Sequence, residues 1–130
     1  MIVLTGGAFD IIHYAHIHWL QRAAKYGYLI VIIASDEQIK SKKGKTRPII
    51  SQKNRAKVVK AIKGVEEVYL MKGLYDIEKI LDDTSPDILI LTGNTRKEAK
   101  ICKERGIKLI KFPCSKSVST SKIISSFQRR

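Results

Sequence analysis

Two stretches of this chain are apolar at every position: residues 29–34, Leu-Ile-Val-Ile-Ile-Ala, and residues 88–91, Ile-Leu-Ile-Leu. A strand with one wet face alternates polar and apolar side chains, whereas a strand that is apolar throughout has to be covered on both faces. A parallel sheet sandwiched between helices meets that demand. The intervening segments supply the helices. Ile12, Ala15, Trp19, Leu20, Ala23 and Ala24 recur at helical spacing, which predicts a helix over 13–25 with Gly27 placed to stop it.

The same reading extends along the chain. Residues 2–5 are short and β-branched and meet Gly6-Gly7 at once, as in a strand ending in a turn. Residues 35–48, rich in lysine around Gly44, read as a loop or a frayed helix. Ser51 is positioned to cap a helix running through Arg55, Val58, Val59 and Ile62. Residues 67–71, 88–92 and 107–112 are further strands. Residues 76–83 and 96–105 are helices, the second stopping at Gly106, and residues 119–127 make a last helix capped by Ser or Thr. Strand and helix alternate about five times. The expectation is an α/β fold: one Rossmann-like domain over 1–130, with a five-stranded parallel sheet and helices on both faces. No internal repeat or linker interrupts it. Ligands of such folds bind beyond the carboxyl ends of the strands.

Composition bounds the function. At 130 residues and 44% hydrophobic content, one globular domain with a sizeable core is expected. No apolar run approaches the length of a membrane span, and no leader pattern opens the sequence, so cytoplasm is the default expectation. Cys102 and Cys114 form no CxxC pair and lie near no histidine, which favours two reduced thiols. The formal net charge of +13 calls for an anionic partner, either a nucleic acid backbone or a phosphate-rich small substrate, unless it serves solubility alone.

The chemistry-bearing segment follows the first strand. Neither a dinucleotide GxGxxG nor a GxxxxGK[ST] loop is present. Instead Thr5-Gly6-Gly7 turns through Ala8-Phe9-Asp10 into a helix beginning near His13. Glycines let a backbone approach a ligand, and a helix start offers free N–H groups suited to phosphate. His13 and His16 share one face of the first turn, where their ring nitrogens can meet phosphate oxygens. His18 points elsewhere and reads as an ordinary surface or core residue.

The segment Gly7-Ala8-Phe9-Asp10-Ile11-Ile12-His13-Tyr14-Ala15-His16 resembles the GxFDxxHxGH motif of the cytidylyltransferase-like nucleotidyltransferases, with Ala15 where the family has glycine. The resemblance continues through Ser35-Asp36, Lys40 and Lys43-Gly44, then Arg47-Pro48 with Arg55. It reaches Thr92-Gly93-Asn94, where the family carries Gly-Asp, and Ser117-Val118-Ser119-Thr120-Ser121. It implies transfer of AMP or CMP from a nucleoside triphosphate to a phosphorylated small molecule, with pyrophosphate released. By resemblance His13, His16 and Lys43 are the catalytic residues. Gly7, Ala8, Phe9, Asp10, Lys40, Arg55, Gly93, Ser119 and Thr120 are the nucleotide-binding ones. Asp10 would organise the loop, and Arg55 would hold outgoing pyrophosphate or the acceptor. Lys42 and Lys45 read as solvated loop charge. Mg²⁺ is implied as a cofactor carried on the phosphates, since no acidic cluster resembles a cage.

Three sub-families fit: the adenylyltransferase domain that activates heptose 1-phosphate, glycerol-3-phosphate cytidylyltransferase, and archaeal FAD synthase. Lys43-Gly44 with Arg47-Pro48 leans toward ATP and a sugar phosphate, and Cys114 to Ser117 lacks the Arg and Gly that cytidylyltransferases carry there. Family members are often homodimers. Two other expectations stay open. One is a nucleic-acid-binding module on this fold, which would leave the two-histidine turn without a role. The other is a member that binds nucleotide without turnover.

Overall fold

The computed structural model describes residues 1–113. Its elements run β1 (Ile2–Gly7), α1 (Tyr14–Ala24), β2 (Tyr28–Ile33), α2 (Asp36–Lys43), α3 (Gln52–Lys60), β3 (Val65–Leu70), α4 (Ile77–Thr84), β4 (Ile88–Leu91), α5 (Arg96–Arg105) and β5 (Lys108–Lys111). The strands form one sheet in the order β3-β2-β1-β4-β5, every neighbouring pair parallel. The expected α/β architecture is therefore present over the described residues. The last helix expected, over 119–127, lies outside them.

Alternation along β1 sorts the core into two layers. Val3 faces a cluster with Leu20 and Ala23 of α1 and Ala56 and Val59 of α3. Leu4 faces the opposite cluster, with Ile77, Ile80 and Leu81 of α4 and Cys102 of α5. Chain order reverses between β1 and β4, so the carboxyl end of β1 is the switch point where such sheets open a crevice.

Three local readings change, and one open alternative is decided. Gly6 and Gly7 are not the turn; they are still in the ladder, paired with Ile32 and Ile33. A Cβ on Gly6 would stand 2.7 Å from the Ile32 Cβ, so the close strand approach itself requires glycine. Of the loop and the frayed helix left open for 35–48, residues 36–43 take the helix. Ser35 caps it, accepting from Gln38 N–H at 2.9 Å, Asp36 and Glu37 open it and Lys40, Lys42 and Lys43 close it, all in accord with the helix dipole. Ser51 occupies the N-cap of α3 but makes no capping bond; the Asp36 carboxylate takes Gln52 N–H instead, at 3.0 Å. Gly27 does not end α1, whose C-cap is Lys25. It lies two residues on, where a Cβ would meet the Met1 carbonyl oxygen.

Candidate phosphate-binding site

The turn after β1 is held from behind. Phe9 adopts φ +52, a left-handed conformation that L-residues avoid at a cost of roughly 1–2 kcal/mol. Burial compensates: the ring is 2% exposed, stacks on Trp19 at 5.7 Å and meets His16 edge-on at 5.3 Å. A Cβ on Gly7 would sit 3.2 Å from that ring, so the glycine makes room for the phenylalanine.

Asp10 follows, also buried. Its carboxylate accepts from Ile49 N–H at 2.9 Å, Ile50 N–H at 2.8 Å and Arg47 Nε at 2.9 Å. Burial pushes its pKa up, but the two backbone bonds and Arg47 outweigh that and hold the carboxyl below its ordinary range. Arg55 completes the clamp and is 1% exposed. Its Nε donates to Ile50 O at 2.9 Å, Nη1 to Ala8 O at 2.6 Å and Nη2 to Asp36 Oδ1 at 2.7 Å. In a trans peptide the carbonyl and N–H point opposite ways. Anchoring the Ala8 carbonyl on Arg55 therefore turns the Phe9 N–H away from that interior. Arg55 and Asp10 thus stand behind the turn, their polar groups engaged by protein, rather than on its open surface.

The histidines sit at the start of α1. His13 is its N-cap, in extended conformation, so the helix begins one residue later than its sequence spacing indicates. His13 N–H donates to His16 Nδ1 at 3.3 Å, and the two rings lie 4.0 Å apart between centroids. With Nδ1 accepting, neutral His16 carries its proton on Nε2, which leaves that N–H as a donor. Burial and then the neighbouring His13 pull the His16 pKa down to about 4, and burial lowers that of His13. Both rings are neutral near pH 7. Both His13 ring nitrogens are shielded from solvent and have no hydrogen-bond partner among the described residues. Leaving such groups unpaired costs about 1–3 kcal/mol each, and a ligand acceptor oxygen would satisfy the one of the two that carries the proton.

On the other face of the same turn a cavity of about 290 Å³ opens toward α4 and α5. Gly6, Gly7 and Ala8 form one side, and Lys42 and Lys43 of α2 reach it from the β2 side. Thr92, Asn94 and Glu98 line it from the β4 side. Lys43, expected at the site by resemblance, lines this cavity, and so does Lys42, which the sequence reads as solvated loop charge. Lys40 is exposed on α2 and does not line the cavity. Gly93 lies between two lining residues at φ +75. Ser119 and Thr120 lie outside the described residues. Sequence reasoning missed Tyr75 and Glu98. Tyr75 N–H donates to Gln38 Oε1 of α2 at 2.9 Å and its hydroxyl to Glu98 of α5 at 3.1 Å, so this residue spans the cavity from wall to wall. Nothing local marks it, because its partners are 37 and 23 residues away.

A cytidylyltransferase-like family model matches residues 4–126. Among curated relatives, the bifunctional protein HldE of Desulfatibacillum aliphaticivorans is 32% identical over 98% of this chain, which spans 27% of that relative's length. The FAD synthase of Thermococcus sibiricus is 37% identical over 94% of this chain and 88% of its own. Among solved structures, a lipopolysaccharide core biosynthesis protein from Thermoplasma volcanium superposes with a TM-score of 0.75 at 28% identity, over 91% of this chain and 98% of that one.

Proposed function

Because this chain belongs to the cytidylyltransferase-like family, we propose that it is a nucleotidyltransferase moving AMP or CMP onto a phosphorylated small molecule. The observation that carries the proposal is the His13–His16 pair: two half-buried, neutral imidazoles at a helix start, one with both ring nitrogens shielded and unpaired.

In the reaction, an oxygen of the acceptor's phosphate attacks the α-phosphorus of the triphosphate. The bond from that phosphorus to the α,β-bridging oxygen breaks, pyrophosphate leaves, and a new phosphoanhydride remains. Such transfers depend on positioning and charge neutralisation more than on covalent help. His16 Nε2–H and the single ring N–H of neutral His13 would donate to α-phosphate oxygens as charge gathers there. Lys43 would meet the incoming phosphate. The backbone of Gly7, Ala8 and Phe9 would approach the nucleotide, and Lys40, Gly93, Ser119 and Thr120 complete the expected contacts. Asp10 and Arg55 act in this scheme by fixing the turn. In-line displacement puts acceptor and pyrophosphate on opposite sides of the reacting phosphorus, which suits a turn with histidines on one face and the lysine-lined cavity on the other.

Mg²⁺ would be carried by the triphosphate itself, since no three His, Cys, Asp or Glu side chains converge among the described residues. Residues 1–130 are taken as one catalytic unit. A reducing, cytoplasmic setting suits the buried free thiol of Cys102. Homodimer assembly rests on the family resemblance, and light scattering on the purified chain checks it.

The test is a pyrophosphate-release screen crossing ATP and CTP with glycerol 3-phosphate, sugar 1-phosphates, FMN, phosphocholine and phosphoethanolamine. Release with at least one pair is expected. Silence across all pairs, together with tight salt-dependent binding of DNA or RNA, would sink the proposal.

A further inference from the structure

We propose that the helical layer made by α1 and α3 docks on an anionic lipid surface. The proposal goes beyond the transfer reading and does not depend on it. No Asp or Glu occurs between Asp10 and Asp36, or between Glu37 and Glu66. α1 and α3 lie within these two stretches and cover the same face of the sheet, through Leu20, Ala23, Ala56 and Val59. Both helices therefore carry cations and no carboxylate. Lys53, Lys57 and Lys60 recur at i, i+4 and i+7, one exposed stripe along α3 that Lys63 continues, and Lys25 is exposed at the end of α1. None of these five lysines has a carboxylate partner among the described residues. The patch ends at Glu66 and Glu67, exposed on the edge strand β3.

The opposite layer is built differently. α4 and α5 carry Glu78, Asp82, Asp83, Glu98 and Glu104 among their cations. The surface ion pairs Lys79–Asp83, Arg105–Glu78 and Arg105–Asp82 all lie there. Charge is compensated on that side and uncompensated on the other, which turns the α1–α3 layer toward an extended anionic surface. Two observations favour a bilayer over a nucleic acid. The layer's arginines are taken up by the protein itself, Arg55 by Asp36 and Arg22 by the Phe112 ring at 4.4 Å. What remains outside is lysine, a point charge without the planar fork that grips nucleic-acid phosphates in pairs. Ile17 and Val58 are also exposed on this layer. Apolar side chains among lysines suit the boundary between headgroups and acyl chains. Docking through this face leaves the cavity open, because it faces α4 and α5.

The test is co-sedimentation of the full chain with vesicles of phosphatidylcholine, made with or without phosphatidylglycerol. At about 0.1 M salt the chain is expected on the anionic vesicles only, and about 1 M salt, which screens charges within roughly 3 Å, should release it. A lysine close to an anionic surface contributes about fivefold in affinity. The triple variant Lys53→Gln, Lys57→Gln, Lys60→Gln should therefore bind about 100-fold more weakly. A charge-matched variant of the other layer, Lys97→Gln, Lys100→Gln, Lys103→Gln, should lose less than about fivefold. Val58→Asp, which brings a carboxylate into the proposed face, should weaken binding at least about fivefold. It decides the matter alone if the α3 triple variant does not melt cooperatively. Pyrophosphate release, with any pair that supports it, should be unchanged in every variant. Absence of binding to the anionic vesicles overturns the proposal. Equal weakening by the two triple variants overturns it as well, since net charge rather than this face would then be the cause. Tighter binding to a DNA or RNA oligonucleotide than to the vesicles would assign the layer to nucleic acid and overturn it too.

Discussion

His16 is held in one tautomer by a backbone N–H three residues earlier, and burial keeps it uncharged. Both effects prepare Nε2–H as a fixed donor. Removing one preorganised donor of this kind typically costs ~100-fold or more in turnover, so His16→Ala should fall at least that far in a pyrophosphate-release assay. An unchanged rate would remove His16 from the chemistry. The same burial sets a pH dependence of stability. The folded ring titrates near 4 against an ordinary 6.5, so below pH 6.5 the unfolded chain takes up a proton that the folded chain refuses. Stability from this residue is complete above 6.5 and is lost as pH falls toward 4; His13 acts in the same direction. Asp10 loses its contribution only lower still, beneath 3.8. The urea midpoint should therefore decline between pH 6.5 and 4, and His16→Asn should flatten that slope. A wild-type midpoint that stays level over the window contradicts this account. Spacing alone put both histidines on one helical face. It could not reveal that one caps the helix, or that the pair is neutral, because desolvation depends on Phe9 and the core beneath.

At the scale of elements, α2 and the start of α3 work as a brace for the turn after β1. Asp36 opens α2, accepts from Gln52 N–H at the start of α3, and pairs with Arg55. Arg55 in turn holds the Ala8 carbonyl. Truncating Arg55 to Ala would strand the carbonyls of Ala8 and Ile50 and free a carboxylate that is itself 43% exposed. The expected loss is roughly 3 kcal/mol, at the low end for a broken buried pair because Asp36 retains solvent. Chemical denaturation measures it; a loss under roughly 1 kcal/mol would show that water replaces the guanidinium at little cost. Little of this brace is legible along the chain. α2 buries only Ile39, so apolar periodicity cannot report it, and its evidence is a cap, a charge gradient and a terminal Gly44 at φ +97. Arg55 looks like a phosphate ligand in sequence because arginine suits phosphate equally well. Its neighbours in space, 19 and 47 residues away, decide otherwise.

Over the whole molecule, the sheet order brings three separate segments to one edge: the turn after β1, the last turn of α2, and the loop after β4. A triphosphate that binds only the folded chain at this edge must stabilise it. At 100 times its dissociation constant the gain should be about 2.7 kcal/mol. Unfolding titrations with and without ATP or CTP would show it, and the nucleotide giving the larger shift is the donor. No shift with either would mean that neither nucleotide binds the folded chain in preference to the unfolded one. Because the net charge is +13, the association rate should also fall as salt rises.

The sequence by itself determined the strands and most of the helices, because burial on both faces is written into runs such as residues 29–34 and needs no distant partner to be read. It also singled out the turn from Gly6 to His16 as the candidate phosphate site, because glycines and a helix start act over a few residues. Only the tertiary structure decided how that turn is held and what lies across from it. The Asp10 and Arg55 clamps, the neutral histidine pair, and the cavity spanned by Tyr75 and Glu98 all depend on groups far apart in the chain. Hydrogen-bond partners and desolvation are properties of positions in space, and local sequence carries no record of them.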